Sequence, residues 1–422
     1  MRCTFFTIKI MHTSDYRKTY RVIVILLLAF FVTFSDCCSG ENVTDASLSI
    51  DSASSPGNLR TDTTYSRSTS RSSITFKEWP ARLRGLNTKL MFPLHKNNIN
   101  PGGFIPEEIF KKLARWHINV IRVPINADSN IFHDNYRDNN KDIIQTYYKH
   151  IQGLKHTLEL AQKYNIYVIV SAGRVIDRKK LSLCRASDRK GYWKQVVKLW
   201  KYVASVFGSY DKLLGYDLLN EPDGSNDIWQ GIVMPEIIKT IREVDRDTYL
   251  VIEPAPGGSY RSFKDFVPIK DPKVVYSFHF YAPHNYTHQG IGRRKVFFTY
   301  PGYIKHFNHS PKIYWDREQL ENQMIYVENF QKKYHKRIFV GEFGVVRWAP
   351  GGARWLEDVI STLEEHRWDW CFFSLGGWNG WNPTFGSNDP ICNEIYGHKI
   401  TDRLKVLIKY WNKNIGISEQ NL

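Results

Sequence analysis

From Trp79 to near the C-terminus, short runs of apolar residues alternate with longer stretches of helical character. The apolar runs are Arg84 to Met91, Ile118 to Asn126, Ile166 to Gly173, Leu213 to Leu219, Thr248 to Pro254, Val274 to Tyr281, Arg337 to Phe343 and Trp370 to Leu375. Several are near-continuous in Val, Ile, Leu and Phe, the pattern of parallel strands covered on both faces. Between them the chain predicts helices that include Pro106 to His117, Ile144 to Tyr164, Tyr192 to Phe207, Glu318 to Tyr334 and Ala353 to Glu365. Strands interleaved with helices in this way, with no second linker, fit one (β/α)8 TIM barrel over residues 77–415 better than a doubly wound sheet. The G-x-G-x-x-G turn of a dinucleotide fold is missing after the first strand.

The pattern is different upstream. Arg17, Lys18 and Arg21 precede the apolar run Val22 to Phe34, which is too short to span about 30 Å of hydrocarbon comfortably. Ser35, Cys37, Cys38, Ser39 and Gly40 follow, small residues of the kind a signal peptidase accepts. Residues 1–40 therefore read as a signal peptide, with an uncleaved signal anchor as the alternative, and the remainder as secreted. Residues 41–76 are rich in Ser, Thr, Asp and Arg and almost free of large apolar residues. Such a stretch buries too little surface to offset its ordering entropy, so it reads as a disordered linker. Glycosylation sequons stand at Asn42, Asn285 and Asn308, and that at Asn382 is blocked by Pro383. Asn285 falls in a loop rimming the expected barrel mouth, which argues against its use.

Composition excludes several classes. Hydrophobic residues at 42% and charged residues at 24% rule out a fibrous or wholly disordered chain, and a mean hydropathy of -0.42 rules out a multi-span membrane protein. The net charge of +16 and the 13 Trp leave nucleic acid, acidic glycan, a membrane surface or a sugar enzyme with aromatic subsites as options. The basic residues form no compact run beyond a patch such as Arg178-Lys179-Lys180, and no nucleic-acid motif accompanies them, so no nucleic-acid partner is expected. Removing residues 1–40 leaves 53 basic against 40 acidic residues, so the excess belongs to the mature chain. Only Cys184, Cys371 and Cys392 fall in the folded part, which is neither a disulfide scaffold nor a metal-ligand spacing. Cys371, inside an apolar run, reads as a buried free thiol; Cys184 and Cys392, both in predicted loops, are a pair that could bridge.

In a barrel of this kind, chemistry collects where strands end and loops begin. The strand ends carry Arg122; Asn220-Glu221-Pro222; His279 and Tyr281; Glu342; and Trp378 in LGGWNGW. Two facing carboxyl groups are what glycoside cleavage needs, one protonated to donate to the leaving oxygen and one ionised to attack or stabilise the cationic centre. Asn220 could bind a sugar 2-hydroxyl, Arg122 and Tyr281 could hold Glu342, and His279 could orient the acid/base or contact sugar. The i, i+2 spacing of His279 and Tyr281 puts both on one face of the strand. Glu253 also ends a strand and competes for a catalytic role, but its place at the fifth strand argues for a structural one. Indole rings stack on the apolar faces of sugars, which makes Trp378 and Trp381 subsite candidates and Trp315 and Trp348 weaker ones.

The segments GYDLLNEP, VIEPAPGG, VVYSFHFYAPHNYTHQG, FVGEFGVVRWAPGG and WDWCFFSLGGWNGWNP, in this order and spacing, resemble glycoside hydrolase family 5, the cellulase-like family of retaining enzymes built on the (β/α)8 barrel. The resemblance covers about residues 80 to 412. It implies Glu221 as acid/base and Glu342 as nucleophile, with counterparts for Arg122, Asn220, His279 and Tyr281 and an aromatic platform at Trp378, or else Trp381. There is one departure. Members usually carry a His at the end of strand three, where this chain reads Val170-Ser171-Ala172-Gly173-Arg174; Ser171, Arg174 or Asp177 is left to fill the space. The reading that follows is a monomeric, secreted retaining β-glycosidase acting on glucan- or mannan-type chains without metal or organic cofactor, its partner a carbohydrate and not a membrane unless the signal segment stays as an anchor. Transglycosylation by the same residues and a catalytically inactive carbohydrate-binding barrel are the alternatives.

Overall fold

In the computed structural model, which describes residues 77–88, 105–126, 141–173, 193–292, 297–376, 378–392 and 397–416, eight parallel strands close into a barrel. They are β1 (Arg84–Thr88), β2 (Val120–Asn126), β3 (Tyr167–Gly173), β4 (Leu213–Asp217), β5 (Tyr249–Ile252), β6 (Val274–Phe280), β7 (Ile338–Phe343) and β8 (Asp369–Leu375). Neighbours in sequence are neighbours around the ring, and β8 pairs with β1 to close it. The expected signal segment and linker, residues 1–76, lie outside the described residues, as do Arg174, Asp177, Cys184 and the basic cluster at 178–180. No helix of the described residues is long and apolar enough to cross a membrane.

The first three expected helices are α1 (Glu107–Arg115), α2 (Lys141–Lys163) and α3 (Trp193–Phe207), and α4 (Met234–Arg242), which was not singled out in the sequence, follows β4. The single helix expected over 318–334 is two, α5 (Arg317–Gln323) and α6 (Ile325–Tyr334), and α7 (Gly352–Glu365) and α8 (Asp402–Trp411) complete the shell. After β5 a 3-10 turn, Tyr260–Asp265, takes the place of a helix. An antiparallel hairpin, Gly302–Lys305 with Lys312–Trp315, is inserted after β6.

Alternation along the strands builds two cores. Ile121, Val123 and Ile125 of β2 and Val274, Tyr276, Phe278 and Phe280 of β6 face the helices, within the larger cluster. Val120, Ile169, Leu214, Val251, Val275, Phe339 and Cys371 face inward and fill the lower lumen as a separate cluster. Each such buried side chain is worth roughly 1.5–3 kcal/mol relative to exposure. Trp79 and Leu83, just ahead of β1, close this cluster from below. Trp79 donates its indole N–H to Asp369 Oδ2 at 2.8 Å, and the same carboxylate takes Leu83 N–H at 2.8 Å and Arg337 Nε at 2.7 Å. Cys371 is the buried free thiol its apolar run predicted, and Cys392 is also free; its suggested partner Cys184 lies outside the described residues.

Candidate active site

Above the apolar plug the inward positions turn polar. Arg122 on β2 is the hub, 1% exposed, and its guanidinium reaches five strands or strand ends. It donates to Asp217 (2.7 Å), Asn87 (3.0 Å), Glu342 (2.8 Å), Ser171 (3.0 Å), Asn220 (2.8 Å) and Glu253 (3.1 Å). The register explains the convergence: Asn87 pairs with Arg122, Ser171 with Asp217 and His279 with Glu342 across adjacent parallel strands, so these side chains form one layer of the lumen. A buried guanidinium is tolerable only with its donors satisfied, and here three carboxylates and three neutral oxygens surround it.

Glu342 reaches the lumen through a break in alternation. Phe339 faces inward and Val340 outward, yet the register to both neighbouring strands shifts before Glu342, so a bulge at Gly341 turns the next side chain inward. Both carboxylate oxygens of Glu342 then accept hydrogen bonds, Oε1 from Arg122 and Oε2 from the Tyr281 hydroxyl at 2.9 Å. Glu221 sits just past β4 with φ at 51°, in the left-handed region that side chains with a Cβ rarely occupy. Its side chain is more open than that of Glu342, 28% against 10% exposed. His279 lies between the two, with Nδ1 3.1 Å from Glu221 Oε1 and 3.7 Å from Glu342 Oε2.

One atom from each of Glu221, His279 and Glu342 lies within 4.8 Å of the others, the one such trio among the described residues. The trio has the spacing to hold a cation, but Arg122 and Tyr281 already occupy both oxygens of Glu342 and His279 Nδ1 is engaged with Glu221. Burial disfavours a charged imidazole, yet Glu253, Glu342 and the bond to Glu221 outweigh it and hold His279 well above its usual 6.5. Burial pushes the Tyr281 phenol up, as does the Glu342 charge, so it stays a hydrogen-bond donor. Asp217 is pushed up to about 7 by burial, against the pull of Arg122.

The predicted residues therefore assemble: Arg122, Asn220, Glu221, His279, Tyr281 and Glu342 share one cluster. Asn220 Oδ1 is already engaged, accepting from Arg122 at 2.8 Å. Trp378 is half-buried, edge-on to Trp348 at 5.6 Å and to Trp381 at 6.3 Å. Trp381, 9% exposed, is more enclosed, against Tyr281, His288 and Phe373. The loop carrying both is tied to α8, where buried Arg403 donates to the carbonyls of Val345, Trp381, Asn382 and Phe385. Trp315 is not a platform: at the end of the hairpin's second strand it is 1% exposed, its indole N–H on Ile304 O. Beside the mouth, Asn285 donates to Asn308 Oδ1 at 3.2 Å, and the Thr287 hydroxyl of the same sequon is buried on Tyr281 O.

Asn87 and Asp217 join the site without having been singled out for it, and Glu253, expected to be structural, lies in the same cluster. A signal was available: Asn87 in RGLNTKLM and Asp217 in LLGYDLL are polar residues inside runs whose strands are covered on both faces, so they have only the lumen to enter. Of the three residues left to fill the strand-three space, Ser171 is in reach, bonded to Arg122.

The family model described as cellulase (glycosyl hydrolase family 5) matches residues 76–379. Endoglucanase C of Acetivibrio thermocellus is 26% identical over 315 residues, covering 65% of this chain and 84% of that protein. Cellodextrinase A of Ruminococcus flavefaciens is 26% identical over 274 residues, covering 63% and 73%. Among solved structures, the cellulose synthase subunit Z of Clostridioides difficile aligns with TM-score 0.60 at 21% identity over 78% of this chain and 99% of that one. Thermotoga maritima Cel5A, in complex with mannotriose, aligns with TM-score 0.58 at 20% identity over 78% and 97%. These likenesses establish the fold, and the family match runs from just before the Trp79 plug to the loop bearing Trp378: this chain is a glycoside hydrolase and belongs to glycosyl hydrolase family 5, the cellulase family.

Proposed function

We propose that this protein is a retaining, endoglucanase-like hydrolase of β-linked glucans, secreted and acting by double displacement. The observation that carries the mechanism is the approach of the two carboxyl groups, an oxygen of Glu221 and one of Glu342 lying within 4.8 Å. Retaining glycosidases hold their pair at about 5–5.5 Å, whereas inverting ones leave about 6.5–9.5 Å for a water. In the first step Glu342 attacks the anomeric carbon while Glu221 protonates the leaving oxygen. In the second, Glu221 takes a proton from water, which displaces Glu342 and frees the sugar with its configuration kept.

The roles follow from the surroundings. Glu342 has both oxygens accepting and is held rigidly by Arg122 and Tyr281, which suits an attacking carboxylate. Glu221 is the more open of the two and meets His279, which suits a group that gains and loses a proton each turn. Trp378 offers a half-buried indole face for a sugar ring. The β-glucan substrate is supported by the endoglucanase and cellodextrinase names of the relatives, and secretion by the signal-like run before residue 40.

The test is hydrolysis of carboxymethylcellulose, cello-oligosaccharides and mannan, with anomeric NMR of the first product. Retained β-configuration is expected, and Glu342→Gln and Glu221→Gln should each lower kcat by at least about 1,000-fold on unactivated substrates. Inverted product refutes the mechanism; binding without cleavage across the panel means a carbohydrate-binding barrel instead; products longer than the substrate mean transglycosylation.

A further inference from the structure

We propose, building on Glu221 as acid/base, that Glu253 is the positioning residue for that group, acting on it through its backbone and through His279. Glu253 lies one residue past β5 and is 1% exposed. A carboxylate in that position is costly unless its oxygens are bonded, and every partner it has belongs to the site. Oε2 accepts the backbone N–H of Glu221 at 2.9 Å. Oε1 accepts from Arg122 Nη2 at 3.1 Å and lies 3.1 Å from His279 Nε2, within ion-pair distance though off the angle of a hydrogen bond. The backbone of Glu253 is itself fixed, its carbonyl accepting the Trp229 indole N–H at 2.8 Å. Gly258, at φ 61°, passes directly over the carboxyl group, and a Cβ there would collide with Glu253 Oε2.

Two features point to positioning rather than to a plain buried ion pair. The amide that Glu253 grips belongs to Glu221, whose φ of 51° persists only where the surroundings hold it. The imidazole beside Glu253 presents its other nitrogen to the Glu221 carboxyl group at 3.1 Å. One side chain thus sets both the backbone from which the acid/base projects and the ring its carboxyl meets. Arg122 already has shorter bonds to Glu342, at 2.8 Å, and Asp217, at 2.7 Å, so its neutralisation does not require Glu253 to touch Glu221 or His279 at all. The charged groups facing His279 are Glu221, Glu253 and Glu342, with Arg122 bonded to the last two.

The experiment measures kcat/KM, which reports the bond-breaking step, for aryl β-glycosides whose leaving groups run from dinitrophenol to phenol, on the wild type, Glu253→Ala and the near-isosteric Glu253→Gln. A displaced acid is felt only where the leaving oxygen needs a proton. Glu253→Gln should therefore lose about 100-fold on the phenyl glycoside and less than about fivefold on the dinitrophenyl one. The His279 ring protons, followed by NMR, should titrate at lower pH than in the wild type. Equal slowing across the series, or an unchanged His279 titration, overturns the proposal and leaves Glu253 a structural acid. Should Glu253→Ala fail to fold, Glu253→Gln carries the comparison. A wild type that cleaves none of the series refutes the acid/base assignment itself, an outcome distinct from uniform slowing.

Discussion

Arg122 shows how one residue can be both a structural and a chemical centre. Its bonds to Asp217, Glu253 and Glu342 are three buried pairs at 2.6–3.1 Å, more carboxyl groups than one guanidinium can balance in a low-dielectric lumen. Asp217 sits nearest the balance point, raised from 3.8 to about 7. A group whose folded value lies above its unfolded one contributes fully to stability below the unfolded value and loses that contribution as pH rises towards the folded value. The wild type should therefore lose stability relative to Asp217→Asn between pH about 4 and about 7, by on the order of a few kcal/mol, and no further above that window. Urea denaturation of both proteins at several pH values from 4.5 to 8 checks this; curves that run parallel throughout would contradict it. Polar and ionisable residues inside apolar runs, such as Asn87 and Asp217, were legible as inward-facing from the pattern alone, but their common partner was not. Which of six acceptors a given Arg meets depends on the register of strands far apart in sequence.

At the scale of the element, β6 and β7 behave differently. His279 and Tyr281 obey alternation, so their shared face is readable from their spacing. Glu342 does not: strict alternation from inward Phe339 would send it out towards the helices, and only the bulge at Gly341 brings it in. Asn87 Nδ2 donates to Gly341 O at 2.8 Å and pins the bulge. A Cβ on Gly341 would stand 2.8 Å from Ser277 Oγ and 3.1 Å from His279 Nε2, both on the neighbouring strand. Gly341→Ala should thus cost about 1–3 kcal/mol of stability. It should also lower kcat by up to about 100-fold by moving His279 and Glu342 out of line. Denaturation midpoints and kcat on an aryl glycoside measure the two effects, and a variant matching the wild type in both would show that the bulge tolerates a side chain. Bulges depend on the strands either side, which is why an expected strand over 337–343 carried no sign of this one.

Across the whole barrel the ends divide the labour. The lower lumen is apolar and closed by Trp79, whose ring meets Tyr249 at 5.2 Å and Phe339 at 6.4 Å. The upper lumen holds Asp217, Glu221, Glu253 and Glu342 against Arg122 and His279, an acid-rich pocket inside a chain of net charge +16. Trp79→Ala should cost about 3–5 kcal/mol by opening a cavity and removing the indole donor from Asp369, while kcat per folded molecule stays unchanged because the site is at the other end. Thermal melts with activity normalised to folded protein test this, and a loss of kcat larger than the loss of folded protein would mean that plug and site are coupled. The sequence by itself determined the class of fold and pointed to two strand-end carboxyl residues and several neighbours as candidates, because strand periodicity and strand-end motifs are local properties of the chain. Tertiary structure decided that Glu342 faces the lumen, that the paired carboxyl oxygens come within 4.8 Å, that Trp315 is buried and that Glu253 grips Glu221. Each of those depends on register, bulge and closure between segments that only the folded barrel brings together.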